Sequence, residues 1–472
     1  MIIRNKEKFK TFLLLLLVIT SLIQIGIRWN QQVQGFPIHF ISRIFNGAGY
    51  TASMDVDSVK NEYFIPEDII VSMGFDGSQW KLDHDDSYFK RIWEDIRDNY
   101  LPAILKQKPG KVFPEEQWSQ LTGVRCIFID FTVNWPGNII SWLEDEKPRE
   151  SGGFGSVKAI AVLPQADVNE TVNTVYIYDE KQVYQYQVII KNDFLPKNFY
   201  LTLAEKLENE PSLYNLSAIS NFKSKETVLV STKKGKVTAF ESLKAEIPPS
   251  IVVNSENIET ERIQDKLLLS KKDSLMAEYD ETQNQILFTD TENLYRLHNN
   301  GIFEYKYLPA KKTDRGEVAA AFKNALSFIE FRRNLLEEAD IILTEVKTYE
   351  NYYEFYFAYG YKGIPIFYPD DTEDSFSSPL VIKVNSERIL ECRWMIRSFT
   401  AVGKPKRYSL YFSDLINNPI LLDELNKDKN GIFERIVPGY VFRAAGMEPV
   451  TPSWIISIDS EDYVIPLTGG ED

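Results

Sequence analysis

The strongest hydrophobic pattern is a charge-free run at residues 11–27, TFLLLLLVITSLIQIGI. Its length sits at the lower limit for a bilayer-spanning helix. Lys10 and Arg28 extend it, because long basic side chains can lay their stems in hydrocarbon and their tips at the interface. The pattern predicts a single transmembrane helix over residues 11–28 after a short tail, 1–10. Arg4, Lys6, Lys8 and Lys10 precede the run, whereas only Arg28 and Arg43 follow within the next twenty residues. The positive-inside bias therefore places the N-terminus in the cytoplasm and the bulk outside. A cleaved signal peptide is the rival reading, yet SLIQIGIRWNQQVQG has no small-x-small cleavage site and no cysteine to be lipidated. Within the run, Thr20 and Gln24 share a helical face with Leu13, Leu16, Leu17 and Ile27. A glutamine facing lipid is costly, so this face is the candidate contact for a partner helix, unless Gln24 simply meets interfacial water.

Beyond a weakly patterned spacer, two apolar runs within 68–82 flank Asp76-Gly77 and predict a β-hairpin. A helix follows from Asp86 or Ser87, with Phe89, Ile92, Trp93, Ile96 and Tyr100 at helical spacing. A short helix is expected at 114–121, with Pro114 at its start. Strand-like runs occupy 124–131, 157–163, 174–178 and 183–190, and the polar, Gly-rich 144–156 reads as an exposed loop. Helices at 196–207 and 257–269 then alternate with strands at 227–230, 236–240, 285–288, 293–297 and 302–307. Asn299-Asn300-Gly301 supplies the left-handed turn before the last of these. The longest helical signal, 314–339, carries Val318, Phe322, Ala325, Ile329 and Leu336 on one side, and strands follow at 341–348, 352–361, 380–385 and 389–398. The tail predicts a helix at 414–425 and strands at 439–443 and 454–458. Helices followed by antiparallel meanders predict an α+β fold of helices packed on antiparallel sheets. The expected units are 29–194, 195–309 and 310–472.

Composition narrows the function classes. At 44% hydrophobic and 26% charged, the 472-residue chain is globular in type, which excludes a wholly disordered protein and a multi-pass transporter. The net charge of −15 argues against a nucleic-acid partner and against an anionic lipid surface, since both are bound through basic patches. Cys126 and Cys392 each lie in a strand-like run, where a cysteine serves as a small buried hydrophobe more often than as half of a disulfide.

Candidate chemistry is sparse. Asp83-His84-Asp85-Asp86 concentrates ligand-type side chains, but an aspartate before a helix is the ordinary capping choice. Asn426, Asp428, Asn430 and Gly431 follow the spacing of a calcium loop; position one is Asn and position twelve is Val437, where a bidentate carboxylate belongs. Ser231-Thr-Lys-Lys234 matches the serine acyl-enzyme motif on a strand end rather than a helix start. Gly152-Gly153-Phe-Gly155 precedes a strand, where a phosphate loop precedes a helix. Asp370, Asp371, Glu373 and Asp374 read as a solvated acidic loop. No nucleophile, base and orienting group fall together. No catalytic residue, cofactor or metal is assigned.

Five local patterns, in order, carry a resemblance: IPEDIIVSM entering the first hairpin, YFKRIWEDI in the first helix, EEQWSQL before GVRCIFIDF, and the closing IVPGYVF and TPSWIISIDSEDYVIPL. Together with the basic tail, the span and the large acidic remainder, they make the chain similar to the YycH family. The resemblance implies a membrane-anchored, extracytoplasmic and non-enzymatic regulator of the YycFG (WalRK) two-component system of low-GC Gram-positive bacteria. It implies as partners the cell-wall sensor histidine kinase, a YycI-like companion and the lipid bilayer, and it implies second and third domains that are YycI-like. One departure is the spacer and Gly-rich loop, which are longer here. The competing reading is a membrane-tethered module that binds a peptide or cell-wall ligand without a kinase.

Overall fold

The computed structural model describes residues 56–74, 79–84, 86–121, 124–144, 153–163, 172–189, 202–203, 205–207, 212–220, 222–225, 228–231, 237–253, 260–268, 276–309, 314–369, 376–419, 421, 431–443, 448–459 and 461–467. The chain divides into two compact units, Met1–Ser53 and Met54–Asp472. The first lies outside the described residues, and with it the expected span and Leu13, Leu16, Leu17, Thr20, Gln24 and Ile27. Among the described residues no helix is long and apolar enough to cross a membrane.

The second unit is mixed α+β, with mostly antiparallel sheet. Among the described residues, a nine-stranded sheet runs in the order Leu229–Ser231, Leu213–Asn215, Gln79–Leu82, Asp68–Met73, Arg125–Pro136, Ser156–Leu163, Val172–Tyr178, Gln182–Ile189, Lys111–Pro114. The expected hairpin is present, with Ile69 opposite Leu82 and Val71 opposite Trp80. Arg125–Pro136 lies in the middle of this sheet, and its period of two sends Ile127, Ile129, Phe131, Val133 and Trp135 into the main core. Cys126 and Phe128 face the other way, into a smaller cluster with Trp118, Leu121 and Tyr176.

The helix expected from Asp86 is Ser87–Asp95, continued by one π-turn, Ile96–Tyr100, and by Leu101–Leu105. The Asp86 carboxylate accepts the Tyr88 N–H at 2.9 Å, so this aspartate is the helix cap that the sequence suggests. Elsewhere the elements differ from expectation. Pro114 ends a strand instead of opening a helix, and the helix, Glu116–Leu121, starts two residues later. Gly137–Leu143 is a helix that periodicity does not reveal, because five of its seven residues are buried, on several sides. Phe154, inside the stretch expected to be an exposed loop, is buried against Tyr184 and Tyr186.

A second sheet has fourteen strands among the described residues. Its main path is Met276–Asp280, Gln285–Thr289, Asn293–His298, Ile302–Tyr307, Ile389–Met395, Leu380–Val384, Tyr353–Tyr361, Ile364–Pro369, Ile432–Val441, Ser453–Ile458, Glu461–Pro466. Parallel pairing occurs where Ile432–Val441 meets Ile364–Pro369 and Lys223–Ser224. Gly301 has φ +78°, the left-handed turn expected from Asn-Asn-Gly.

Helix Val318–Glu330 covers this sheet with the expected apolar stripe, but it stops well short of residue 339. The cause is visible at Arg332, which is fully buried. Its guanidinium donates to the Phe328 carbonyl at 2.7 Å and to the Leu267 carbonyl, and stacks 3.8 Å from the Phe328 ring. Carbonyls at a helix C-terminus welcome a cation, so Arg332 closes the helix. The two sheets share one core. An aromatic chain runs from Trp93 through Phe64 (5.0 Å) to Trp135 (5.0 Å), then Phe322 (5.8 Å) and Phe355 (5.2 Å).

A smaller second core gathers Leu216, Val230, Phe240, Tyr408, Phe412, Leu415, Phe433, Trp454, Ile456 and Ile465. Its helix, Phe412–Ile416, starts two residues before the expected 414 and breaks at Asn417, and residues 422–425 of the expected helix lie outside the described residues. The two cores are linked by an antiparallel ribbon, Val237–Glu246 with Ser398–Ser409. At one end Leu243, Ala245 and Phe399 belong to the main core; at the other, Phe240 and Tyr408 belong to the second.

Candidate interaction surfaces

A cleft of about 470 Å³ lies beside the ribbon, lined by Glu241, Glu337, Glu338, Tyr361, Lys362, Phe399, Thr400 and Ala401. Three local features of the chain build it. First, the hairpin joining Tyr353–Tyr361 to Ile364–Pro369 has a two-residue turn, Lys362-Gly363, with φ +49° and +76°. Both residues are left-handed, as the twist of a tight hairpin requires. Second, the ribbon is irregular between Phe240 and Ser242, where the partners jump from Lys406 to Val402, and Glu241 sits at that irregularity. Third, Glu337, with φ +52°, forms a parallel bridge with Phe399.

These features bring Lys362 Nζ to 2.8 Å from Glu241 Oε2. The Tyr361 hydroxyl shares its proton between Glu241 Oε2 (3.2 Å) and Glu338 Oε2 (3.3 Å), and the Tyr440 hydroxyl donates to the Glu241 carbonyl at 2.7 Å. The hydrogen bond from Lys362 holds the Glu241 carboxyl below its ordinary range, and the same bond raises the Lys362 ammonium. Three carboxylates face one ammonium, so the cleft favours cationic or hydrogen-bond-donating groups. Nothing in it is placed to act as a nucleophile.

A second cleft, of about 500 Å³, lies at the edge of the nine-stranded sheet between Val112, Phe113, Pro114, Glu115, Glu116, Lys181 and Gln182. Glu115, one of its lining residues, accepts a hydrogen bond from the Tyr178 hydroxyl at 2.5 Å.

The most perturbed carboxyl stands elsewhere. Asp130 is pushed up to about 7, first by burial, while Lys158 pulls it down and Glu67 and Asp68 push it up. Lys158 lies 3.6 Å away and also donates to the Phe131 carbonyl. Lys81 pairs with Asp68 at 2.5 Å. Burial opposes the Lys81 charge, but Asp68, Glu67 and Asp83 together outweigh it and the ammonium is held above its ordinary value. This is a half-buried ionic network across four adjacent strands.

The ribbon presents the other conspicuous surface. Thr400 to Arg407 are eight consecutive exposed residues in a strand, so both faces are bare. Among the described residues no strand pairs with its outer edge. Lys404, Lys406 and Arg407 are its charged residues.

The motifs singled out from sequence do not converge. Asp86 caps its helix and pairs with Lys206, and His84 Nε2 meets the Glu67 carbonyl at 2.8 Å while stacking on Phe89. Asp85, the loop at 426–430, Lys234 and the acidic loop at 370–374 lie outside the described residues. Ser231 is buried in a strand, and Gly153 and Gly155 sit in a turn that leads into a strand. Cys126 and Cys392 are unbridged and buried, and burial raises the Cys392 thiol to about 12 and holds the Cys126 thiol well above its ordinary value. Among the described residues no group of three or more His, Cys, Asp or Glu side chains could hold a metal ion. Only part of the ribbon was legible in the sequence: Val237–Glu246 overlaps the strand expected at 236–240, while Ser398–Ser409 is interrupted by Gly403 and Pro405.

No family model matches the chain, and no curated protein matches its sequence. Among solved structures, an uncharacterised protein from Eubacterium rectale aligns over 58% of this chain and 97% of its own at 11% identity, with a TM-score of 0.29, too low to bear on the fold. The crystal structure of YycH from Bacillus subtilis aligns over 86% of this chain and 96% of its own, at 13% identity, with a TM-score of 0.57. The chain therefore has a YycH-like fold.

Proposed function

We propose that this protein is a membrane-anchored, non-enzymatic regulator of a cell-wall sensor histidine kinase, acting outside the cytoplasm with a YycI-like companion. The observation that carries the reading is the YycH-like fold over 86% of the chain. The apolar run flanked by Lys10 and Arg28 supports an anchor. In this reading the face of Leu13, Leu16, Leu17, Thr20, Gln24 and Ile27 joins the kinase's membrane helices and biases the kinase between signalling states. A helix shifts such an equilibrium only by binding one state better than the other. Domain breaks near Leu195 and Pro309 belong to the same reading. The experiment is site-specific photo-cross-linking from Gln24 in intact cells. A histidine kinase or the companion protein in the captured band supports the proposal, and adducts with lipid alone count against it.

A second reading, a tethered module that binds a peptide, draws support from the polar cleft at Glu241 and the bare ribbon beside it. It predicts pull-down by an extracytoplasmic ligand with no kinase in the complex.

A further inference from the structure

Strand Ser398–Ser409 is an anomaly in this molecule. Its residues from Thr400 to Arg407 bury neither face, and beyond the Glu337–Phe399 bridge its outer edge pairs with no strand among the described residues. A long, open edge is a template for another strand, and proteins usually blunt such edges. Here Gly403, with φ +80°, and Pro405 interrupt the run, and Lys404, Lys406 and Arg407 charge it. Among the described residues none of the three cations has an ion-pair partner, and residues 398–409 contain no acid. A cluster of cations on an open strand is unusual in a chain of net charge −15. It repels a second copy of the same ribbon, yet it attracts an extended segment of opposite charge.

The base of the ribbon sets where such a segment fits. At Phe399 to Ala401 the strand borders the cleft of Glu241, Glu337 and Glu338. Carboxylates laid there meet like charge, whereas carboxylates laid beside Lys404 to Arg407 meet cations. Pro405 has no N–H to give, so backbone pairing falls on either side of it.

We propose that the outer edge of Thr400 to Arg407 binds an extended acidic peptide segment by strand addition, with its carboxylates on Lys404, Lys406 and Arg407. Main-chain hydrogen bonds supply attraction and the cations supply selectivity, as in other edge-strand recognition. The inference does not rest on the membrane-helix reading, and failure of either leaves the other standing.

The test is fluorescence anisotropy of the full chain in detergent with a labelled peptide of alternating glutamate and threonine, at low and raised salt. The expected result is saturable, salt-weakened binding. The triple variant K404E/K406E/R407E, in which only exposed side chains change, should bind at least about tenfold more weakly with an unchanged melting temperature. The same peptide N-methylated at alternate residues should lose binding to a similar extent. No binding of the parent peptide, equal binding by the triple variant or equal binding of the N-methylated peptide would overturn the proposal. So would equally effective displacement by inorganic polyphosphate or phosphatidylglycerol vesicles, which would make the ribbon a general anion surface.

Discussion

Two strands of twelve residues each, Arg125–Pro136 and Ser398–Ser409, show how differently one secondary structure can be used in the same chain. The first, RCIFIDFTVNWP, alternates without a break and lies in the middle of a sheet. Its Phe131 and Trp135 join the aromatic chain that ties both sheets together. The second, SFTAVGKPKRYS, buries only Ser398, Phe399 and Tyr408, and pairs with a strand along one edge, with a single bridge to Glu337 on the other. The first strand is made by burial of its side chains. The second is held at its two ends by two separate cores and leaves its middle free for contacts with other molecules.

That contrast breaks most sharply at Trp135. Trp135→Ala removes a fully buried ring from the junction of the two sheets and should cost about 3–5 kcal/mol, read as a lower urea midpoint. A loss below about 1 kcal/mol would mean that the two sheets do not share a core.

Next in size is the ionisation of Asp130. A carboxyl whose folded pKa is near 7, against an unfolded value near 3.9, binds more protons folded than unfolded between those limits. Stability should therefore fall as pH rises from about 4 to 7 and level off above. Asp95, raised by burial to about 6 and accepting from Asn99 at 2.8 Å, adds to the same slope. The expected outcome is a melting temperature that declines across this window, with a shallower decline in Asp130→Asn. An unchanged slope in that variant would assign the effect to other groups.

Lys362→Gln tests the joint between ribbon and body. The pair with Glu241 is largely exposed, so the expected loss is about 0.2–1 kcal/mol and should shrink in high salt. A salt-independent loss of several kcal/mol would show the pair to be a structural lock. Smallest of all is the effect of Lys406→Glu on stability, expected within about 0.5 kcal/mol because its side chain is exposed. A larger loss would mean that the ribbon is covered within the chain itself.

What the sequence reveals follows the same division. Strands with one continuous buried face, such as Arg125–Pro136 and Tyr353–Tyr361, and helices with a clear stripe, such as Ser87–Asp95, are legible from periodicity. Helix Gly137–Leu143 is not, because seven residues hold too few turns for a stripe and Pro136-Gly137 resembles a loop. The end of Val318–Glu330 was invisible because the apolar pattern continues to Leu336, while the stop is made by Arg332 finding carbonyls in three dimensions. The cleft around Glu241 was equally hidden. Its residues come from positions 241, 337–338, 361–362 and 399–401, and only a turn, a ribbon irregularity and a bridge bring them together. The Asp86 cap needed only neighbouring residues and was read correctly. Short-range chemistry is written locally, whereas convergence across sheets is not.

The proposed membrane segment tests the central claim most directly. Residues 11–28 are replaced by an unrelated apolar helix of equal length, the remaining chain is left unchanged, and phosphorylation of the kinase's response regulator is measured in cells. A regulator that works through its Thr20 and Gln24 face predicts that regulation of the kinase is lost while the protein stays membrane-bound. Regulation identical to that of the native chain would contradict it.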